Sequence, residues 1–507
     1  METIAPFTQA LSLKRRAVRI AFAVAVVIAI ASPVLLAQSW QPLTNQPPAG
    51  AGVGAMLLLT DGRVLVHRED GVNWQAWYTL TPDINGSYVN GTWNQVASLP
   101  ASYGPLYFGS AVLKNGSVMI EGGEYNNGSA SWTNLGAMYN PNGNKWISIA
   151  APTGWTTIGD AQSVVLANGR YMQANCCSTQ SALFNVGTKT WTATGTGKFD
   201  WNDEEGWTLL PNGKVLAVDA YVRSYNATGK QYELYNPATG AWTASGNTPV
   251  QLWDSCGGSS LASYEVGPAV LRPDGTVFAT GANGCGAGHT AVYNSASDTW
   301  VAGPDFAATD IADGAGALEI NGKVIVMTSP GIFNAGAIFY EWDGTNLTSV
   351  AGPPNSIIDS SYYGHFLELP TGQLLFTDFS NDVEVFTPSG TFQNSWRATI
   401  STAPTTVTHG LAGYVVKGTQ FNGLSQGAMY GDDYQSATNY PLVRIVNNST
   451  GHVFYCRTYG HSSMGVATGG KLVATHFAVP AGVELGASTL YVVTNGIPSA
   501  GVAVTVN

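Results

Sequence analysis

Tyr107, Asp160, Asp203, Glu204, Glu265, Asp313, Tyr362 and Tyr363 share one place in a repeated pattern. Each lies eight or nine positions before an Asp, Asn or Thr that is followed by glycine and flanked by apolar runs. Carboxylates accept hydroxyl hydrogen bonds or coordinate Ca²⁺ through oxygen, and phenol rings cover the apolar face of a pyranose. If the fold brings these positions together, they form an acidic, aromatic-rich crown suited to a sugar or a hard cation. Separately they are ordinary polar loop residues.

The elements that must position them are hairpins. LLLTDGRVLV at Asp61, AVLKNGSVMI at Asn115, VVLANGRYM at Asn168 and TLLPNGKVLAV at Asn212 each join two apolar runs through a turn. AVLRPDGTVFA at Asp274, LEINGKVIVM at Asn321 and LELPTGQLLF at Thr371 do the same. The Asn-Gly and Asp-Gly pairs predict two-residue turns with positive φ. The turns recur at roughly fifty residues, the length of a kelch-type propeller blade.

After the hairpins come YNPNGNKW from Tyr139, FNVGTKTW from Phe184, YNPATGAW from Tyr235 and YNSASDTW from Tyr293. Each reads as a third strand, a turn, and a fourth strand opening on a tryptophan that glues neighbouring blades. Tyr78 with Trp93, Tyr340 with Leu347 and Phe386 with Trp396 are the variants. SWQPLTNQPP, from Ser39, is a fourth strand without its first three, so it is expected to complete the last blade and remove an open edge.

The predicted fold class is all-β: a seven-bladed kelch-type β-propeller over 38–398, then an immunoglobulin-like β-sandwich over 399–507. The second assignment rests on short alternating strands such as GYVVKGTQF and STLYVVTNGIPS. In the propeller the crown positions precede each innermost strand and ring one mouth of the channel. Only Val53, in the first blade, is apolar there.

Composition agrees with turn-dense strands: glycine reaches 60 residues, tryptophan 15, and charged residues only 10%. The net charge of −11 and the lack of a basic run outside the first twenty residues exclude nucleic acid as a partner. Residues 1–37 have Lys14-Arg15-Arg16, an apolar run from Ile20 to Ala31 and a close at Ala37. This is the layout of a secretory signal peptide, with an uncleaved membrane anchor as the alternative. The expected location is therefore secreted or at the cell surface, and the expected state monomeric. Cys256 and Cys285, in Gly-rich loops, are expected to form a disulfide. Cys176 and Cys177 are adjacent, with their redox state open, and Cys456 is expected to be a buried thiol.

The seven histidines show no HxH or HExxH spacing, and no GxSxG, P-loop or CxxC motif occurs. No catalytic residue is assigned on these grounds.

With Gly122-Gly123, the Tyr-Asn-Pro…Trp strands and the tail NYPLVRIVN…FYCRT…VVTNGIPS, the chain resembles the kelch-type, galactose oxidase-like proteins with a C-terminal early-set Ig-like domain. The resemblance spans Ser39 to Asn507. It implies secreted copper-radical oxidases of primary alcohols or aldehydes that use a Cys–Tyr crosslink. Carried over position by position, the crosslinking Cys falls on Tyr107 and its partner Tyr on Asp160, both departures. The axial Tyr falls on Tyr362, a match. The neighbouring His falls on Tyr363, unless a loop shift supplies His365, and the C-terminal His falls on His461. Under an oxidase reading the copper ligands would be Tyr362, His365 and His461, without the crosslink.

The expected function is binding of a glycan, another polyhydroxylated extracellular molecule or a cell-surface ligand at the crown. No cofactor is required, and Ca²⁺ is the cation such a crown admits. A divergent galactose oxidase-like oxidase and a structural cell-surface module are the alternatives, so enzymatic activity stays open.

Overall fold

The computed structural model describes residues 38–220, 231–254, 256 and 264–507. The 1–37 segment read as a signal peptide lies outside the described residues. Apart from short 3₁₀ turns, the described chain is all-β, and no helix in it is long and apolar enough to cross a membrane.

Among the described residues, seven sheets each contain four antiparallel strands, six of them in hairpin order and the seventh with its fourth strand supplied from elsewhere in the chain; the sixth carries one added strand. Their opening strands are Val53–Leu58, Gly109–Val112, Ser163–Val165, Trp207–Leu209, Val266–Leu271, Gly316–Leu318 and His365–Glu368. Each opening strand touches the next, and the last touches the first, so the sheets close on themselves. The opening and second strands are buried almost throughout, which is why these runs are continuously apolar.

The hairpin turns differ from the two-residue form that the sequence predicts. The Gly62 N–H donates to Leu59 O at 3.0 Å and the Leu59 N–H to Arg63 O at 2.8 Å. Only Gly62, at φ 81°, is left-handed; Asp61 is not. This is a turn closed by a glycine bulge. The Asp/Asn preference has a different cause: Asp61 Oδ1 accepts the Arg63 N–H at 3.2 Å, and Asn115, Asn168 and Asn212 accept the equivalent N–H at 3.0 Å.

The recurring aromatic–tryptophan pairs face one another across the outer hairpins, Tyr139 opposite Trp146 and Tyr235 opposite Trp242. Several of these indoles reach the preceding sheet: Trp146 Nε1 donates to Ala97 O at 2.9 Å and Trp191 Nε1 to Ala150 O at 2.7 Å.

Ser39–Pro42 pairs with Glu384–Thr387, so the N-terminal strand completes the seventh sheet. Trp40 thereby takes the place expected of Trp396. It stands opposite Phe386, among Phe339, Phe366 and Phe376, and donates to Ala351 O at 2.7 Å. Trp396 is instead in a 3₁₀ turn, Asn394–Trp396, because the chain there is already leaving the sheet.

From Thr399 onward, nine strands form a further sheet that includes one parallel pair, Thr406–Val407 with Val502–Val506. It has its own apolar core around Val443, Ile445, Phe477 and Val492. Residues 36–507 form one compact unit. Cys256 and Cys285 are disulfide-bonded, as are the adjacent Cys176 and Cys177, while Cys456 is a buried free thiol.

Candidate functional site

One stretch of the C-terminal segment does not stay with its own sheet. Residues 425–440 enter the centre of the closed sheets, and Ala428–Met429 pairs with Gly316–Leu318 as a fifth strand of the sixth sheet. Its side chains and backbone satisfy polar groups that would otherwise be buried without partners. Gln426 Oε1 accepts the Leu209 N–H at 2.7 Å, and the Gln435 N–H donates to Ser110 Oγ at 3.2 Å. Ser436 Oγ donates to Met56 O at 3.1 Å, and Thr438 Oγ1 to Glu368 Oε2 at 3.0 Å. The first, second, fourth, sixth and seventh sheets are thus all held by this one segment.

Where the segment turns, it meets a cavity of about 470 Å³ lined by Tyr107, Asp160, Glu204, Glu265, Asp313 and Tyr362. Six of the eight crown residues therefore share one surface. Asp203 and Tyr363 are not on it. Asp203 is close enough to raise Asp160 and Glu265 electrostatically, and Tyr363 packs against Tyr362 and Phe379.

The remaining lining residues are Leu106, Glu124, Tyr125, Phe333, Asp432 and Asp433. Tyr125 belongs to a small hairpin, Tyr125–Asn126 with Ser129–Ala130, which lies between strands of the second sheet in the chain and pairs with Pro105–Leu106 as a separate sheet; Glu124 immediately precedes it. Asp432 and Asp433 come from the inserted segment, MYGDDYQ. Its signal in the sequence is a run of acids and tyrosines without strand alternation, set between two clear strands.

The lining holds seven carboxylates, from Glu124, Asp160, Glu204, Glu265, Asp313, Asp432 and Asp433, and no Lys, Arg or His among the described residues. Burial, and then the neighbouring carboxylates, push Asp160, Glu204, Asp313, Asp432 and Asp433 well above the usual carboxylate range. The same causes bring Glu265 up to about 8. Such a site repels anions and favours protons, cations or hydroxyl donors.

Three lining residues from alternate sheets, Tyr107, Glu204 and Asp313, have left-handed backbones at φ 54°, 58° and 51°. This conformation is unfavourable for side-chain-bearing residues and concentrates at functional sites. Close passage of the inserted segment depends on Gly431, where a Cβ would lie 2.4 Å from Asp313 Oδ1.

The histidines assigned under the oxidase alternative do not reach the cavity. His461 is buried in the C-terminal part, its Nδ1 2.8 Å from Thr475 Oγ1 and its ring stacked on Tyr440. Burial lowers it to about 3, so the ring is neutral. The C-terminal residues that enter the centre precede it by a whole strand pair, which is why His461 is misplaced by sequence reading. His365 stacks on Tyr430, lies edge-on to Tyr434 and accepts no place in the lining, its Nδ1 3.0 Å from Tyr363 O. Copper of the galactose oxidase kind takes imidazole and phenolate donors. A lining of carboxylates and tyrosines without imidazole or thiolate does not fit it.

No family model and no curated protein sequence matches the chain. Among solved structures it is similar to a fungal alcohol oxidase of the AA5 family, in complex with copper. The identity is 12%, the TM-score 0.50, and the match covers 93% of this chain and 99% of that one. Virginiamycin B lyase from Staphylococcus aureus aligns with 69% of this chain and 99% of its own, at 10% identity and a TM-score of 0.46. At this identity the first likeness is one of fold alone: the chain shares its all-β architecture with that structure.

Proposed function

We propose that this chain is an exported binding protein that holds a glycan or similar polyhydroxylated ligand at the acidic cavity. In this reading the seven sheets are kelch-type blades and the nine-stranded sheet is an Ig-like sandwich. The observation that carries it is the composition of a single cavity: seven carboxylates able to accept hydroxyl hydrogen bonds, beside the rings of Tyr107, Tyr125, Phe333 and Tyr362. Carboxylates orient hydroxyls while ring faces cover the apolar side of a sugar, and the volume lies within the range of small-ligand sites. Export rests on the layout of residues 1–37.

Glycan-array binding with the purified chain tests the reading. Tyr107→Ala and Phe333→Ala should each reduce capture at least tenfold while leaving the melting curve cooperative. Capture of no neutral glycan, or unchanged capture by both variants, would remove it. The fold shared with an alcohol oxidase supports an oxidase alternative at the level of architecture only. Peroxide released in step with alcohol consumption by copper-loaded protein would favour that alternative.

A further inference from the structure

We propose that the cavity is a binding site for a hard divalent cation of the Ca²⁺ type, held at Glu204, the carboxylate shared by two triads: Asp160–Glu204–Asp432 and Glu204–Glu265–Asp313. Within each triad one carboxylate oxygen from every residue lies within 4.8 Å of the others. Oxygens that close together can reach a single ion with small side-chain adjustments, the Ca²⁺–oxygen distance being about 2.3–2.6 Å. The triads come from five separate stretches of chain, so their convergence is a product of the fold and not of local sequence.

A second observation points the same way. Asp160 and Asp433 are buried, at 7% and 0% exposure, and both line the cavity. Asp160 Oδ1 and Asp433 Oδ2 have no hydrogen-bond partner. A buried carboxylate oxygen without a donor is costly, and no cationic side chain among the described residues lines the cavity to offset it. A bound divalent cation supplies the missing positive charge. All candidate donors are oxygens, the set preferred by Ca²⁺, whereas Zn²⁺ and copper favour the imidazole or thiolate that is absent from the lining.

If the polyol reading above holds, such a cation gives it a specific route. Ca²⁺ takes six to eight oxygens, so positions left open by the protein accept paired hydroxyls of the ligand. The cation site itself does not depend on that reading.

The test uses the full chain stripped with EDTA and dialysed, then titrated with Ca²⁺ by calorimetry at about pH 8. Saturable binding is expected, with the melting temperature raised by several degrees, because a ligand of the native state stabilises it. Glu204→Gln should weaken binding at least tenfold, and Glu341→Gln, remote from the cavity, should leave it unchanged. Should Glu204→Gln fail to fold, Asp432→Asn serves in its place, and the wild-type melting shift with Ca²⁺ stands on its own. No saturable binding below about 1 mM, or the same affinity in wild type and a folded triad variant, overturns the proposal. Glycan capture that is equal in EDTA and Ca²⁺ overturns the cation route to the ligand and leaves the polyol reading intact. Ca²⁺ binding with no glycan capture upholds the cation site and overturns the polyol reading.

Discussion

The Tyr107 backbone N–H donates to the Tyr434 hydroxyl at 2.9 Å, joining positions 327 residues apart. Tyr107 is one of the left-handed residues of the cavity, and Tyr434 follows the two aspartates that complete it. The bond therefore fixes a first-half crown residue directly to the C-terminal segment. Tyr434→Phe keeps the ring packing against Phe108 but leaves that N–H without its acceptor. We expect a loss of about 1–3 kcal/mol in urea unfolding, together with weaker ligand capture. Wild-type stability in the variant would show that water replaces the hydroxyl without cost.

Gly431→Ala should damage the site more than the fold. The added methyl would meet Asp313 Oδ1 at 2.4 Å and Asp313 Cα at 2.8 Å, and the backbone carbon cannot swing away as a side chain can. The inserted segment must then shift, carrying Asp432 and Asp433 with it. Overpacking of this kind costs about 1–3 kcal/mol. Calorimetry should show Ca²⁺ affinity reduced by more than tenfold; retained affinity would mean that the loop absorbs the methyl.

Trp40→Ala tests closure by the N-terminal strand. Its indole packs among Phe339, Phe366, Phe376 and Phe386 and makes one hydrogen bond to the neighbouring sheet. The indole is only partly buried, so a cost below the ~3–5 kcal/mol of a fully buried tryptophan is expected. His461→Ala, by comparison, removes a ring remote from the cavity and should lower stability while leaving glycan and Ca²⁺ binding unaltered. Equal melting temperatures for wild type and the Trp40 variant would contradict the role given to this strand.

The hairpins and outer tryptophans are legible in the sequence because each depends on neighbours a few residues away: a glycine bulge, an Asn side chain accepting an N–H two residues on, an aromatic opposite an indole. Counting back from Asn168 or Asp274 finds Asp160 and Glu265 because every sheet enters its opening strand in the same way. The rule fails where the chain departs from its period. Glu124 and Tyr125 stand at an extra hairpin, and Asp432 and Asp433 on a loop that leaves its own sheet. No local pattern tells a loop to enter a channel. His461 looks equally suitable in sequence, since only the tertiary path distinguishes a segment that enters the centre from one that stays outside.

Glu368 makes a pH prediction. Burial raises its carboxyl to about 7, even though Thr438 Oγ1 and Asn495 Nδ2 each donate to Oε2 at 3.0 Å. The unfolded chain releases this proton near about 4.3. The folded form holds the proton more tightly, so the group's stabilising contribution is complete below about pH 4.3 and is lost as pH rises through about 7. Glu368→Gln keeps the shape and removes the titration. Relative to this variant, wild type should lose up to about 3 kcal/mol between about pH 5 and about pH 8 in denaturant unfolding. Parallel pH curves would place the titration elsewhere.

The inserted segment also sets an order on synthesis. A nascent chain halted before residue 425 already contains every strand of the seven sheets except Ala428–Met429, with Ser39–Pro42 and Glu384–Thr387 both available to pair. It lacks Asp432, Asp433 and the hydroxyl that holds Tyr107. A truncated product can thus close its circle of strands and still be born without a mouth. Ligand capture would report that translation had entered the last sixth of the message, a checkpoint that strand content alone cannot supply.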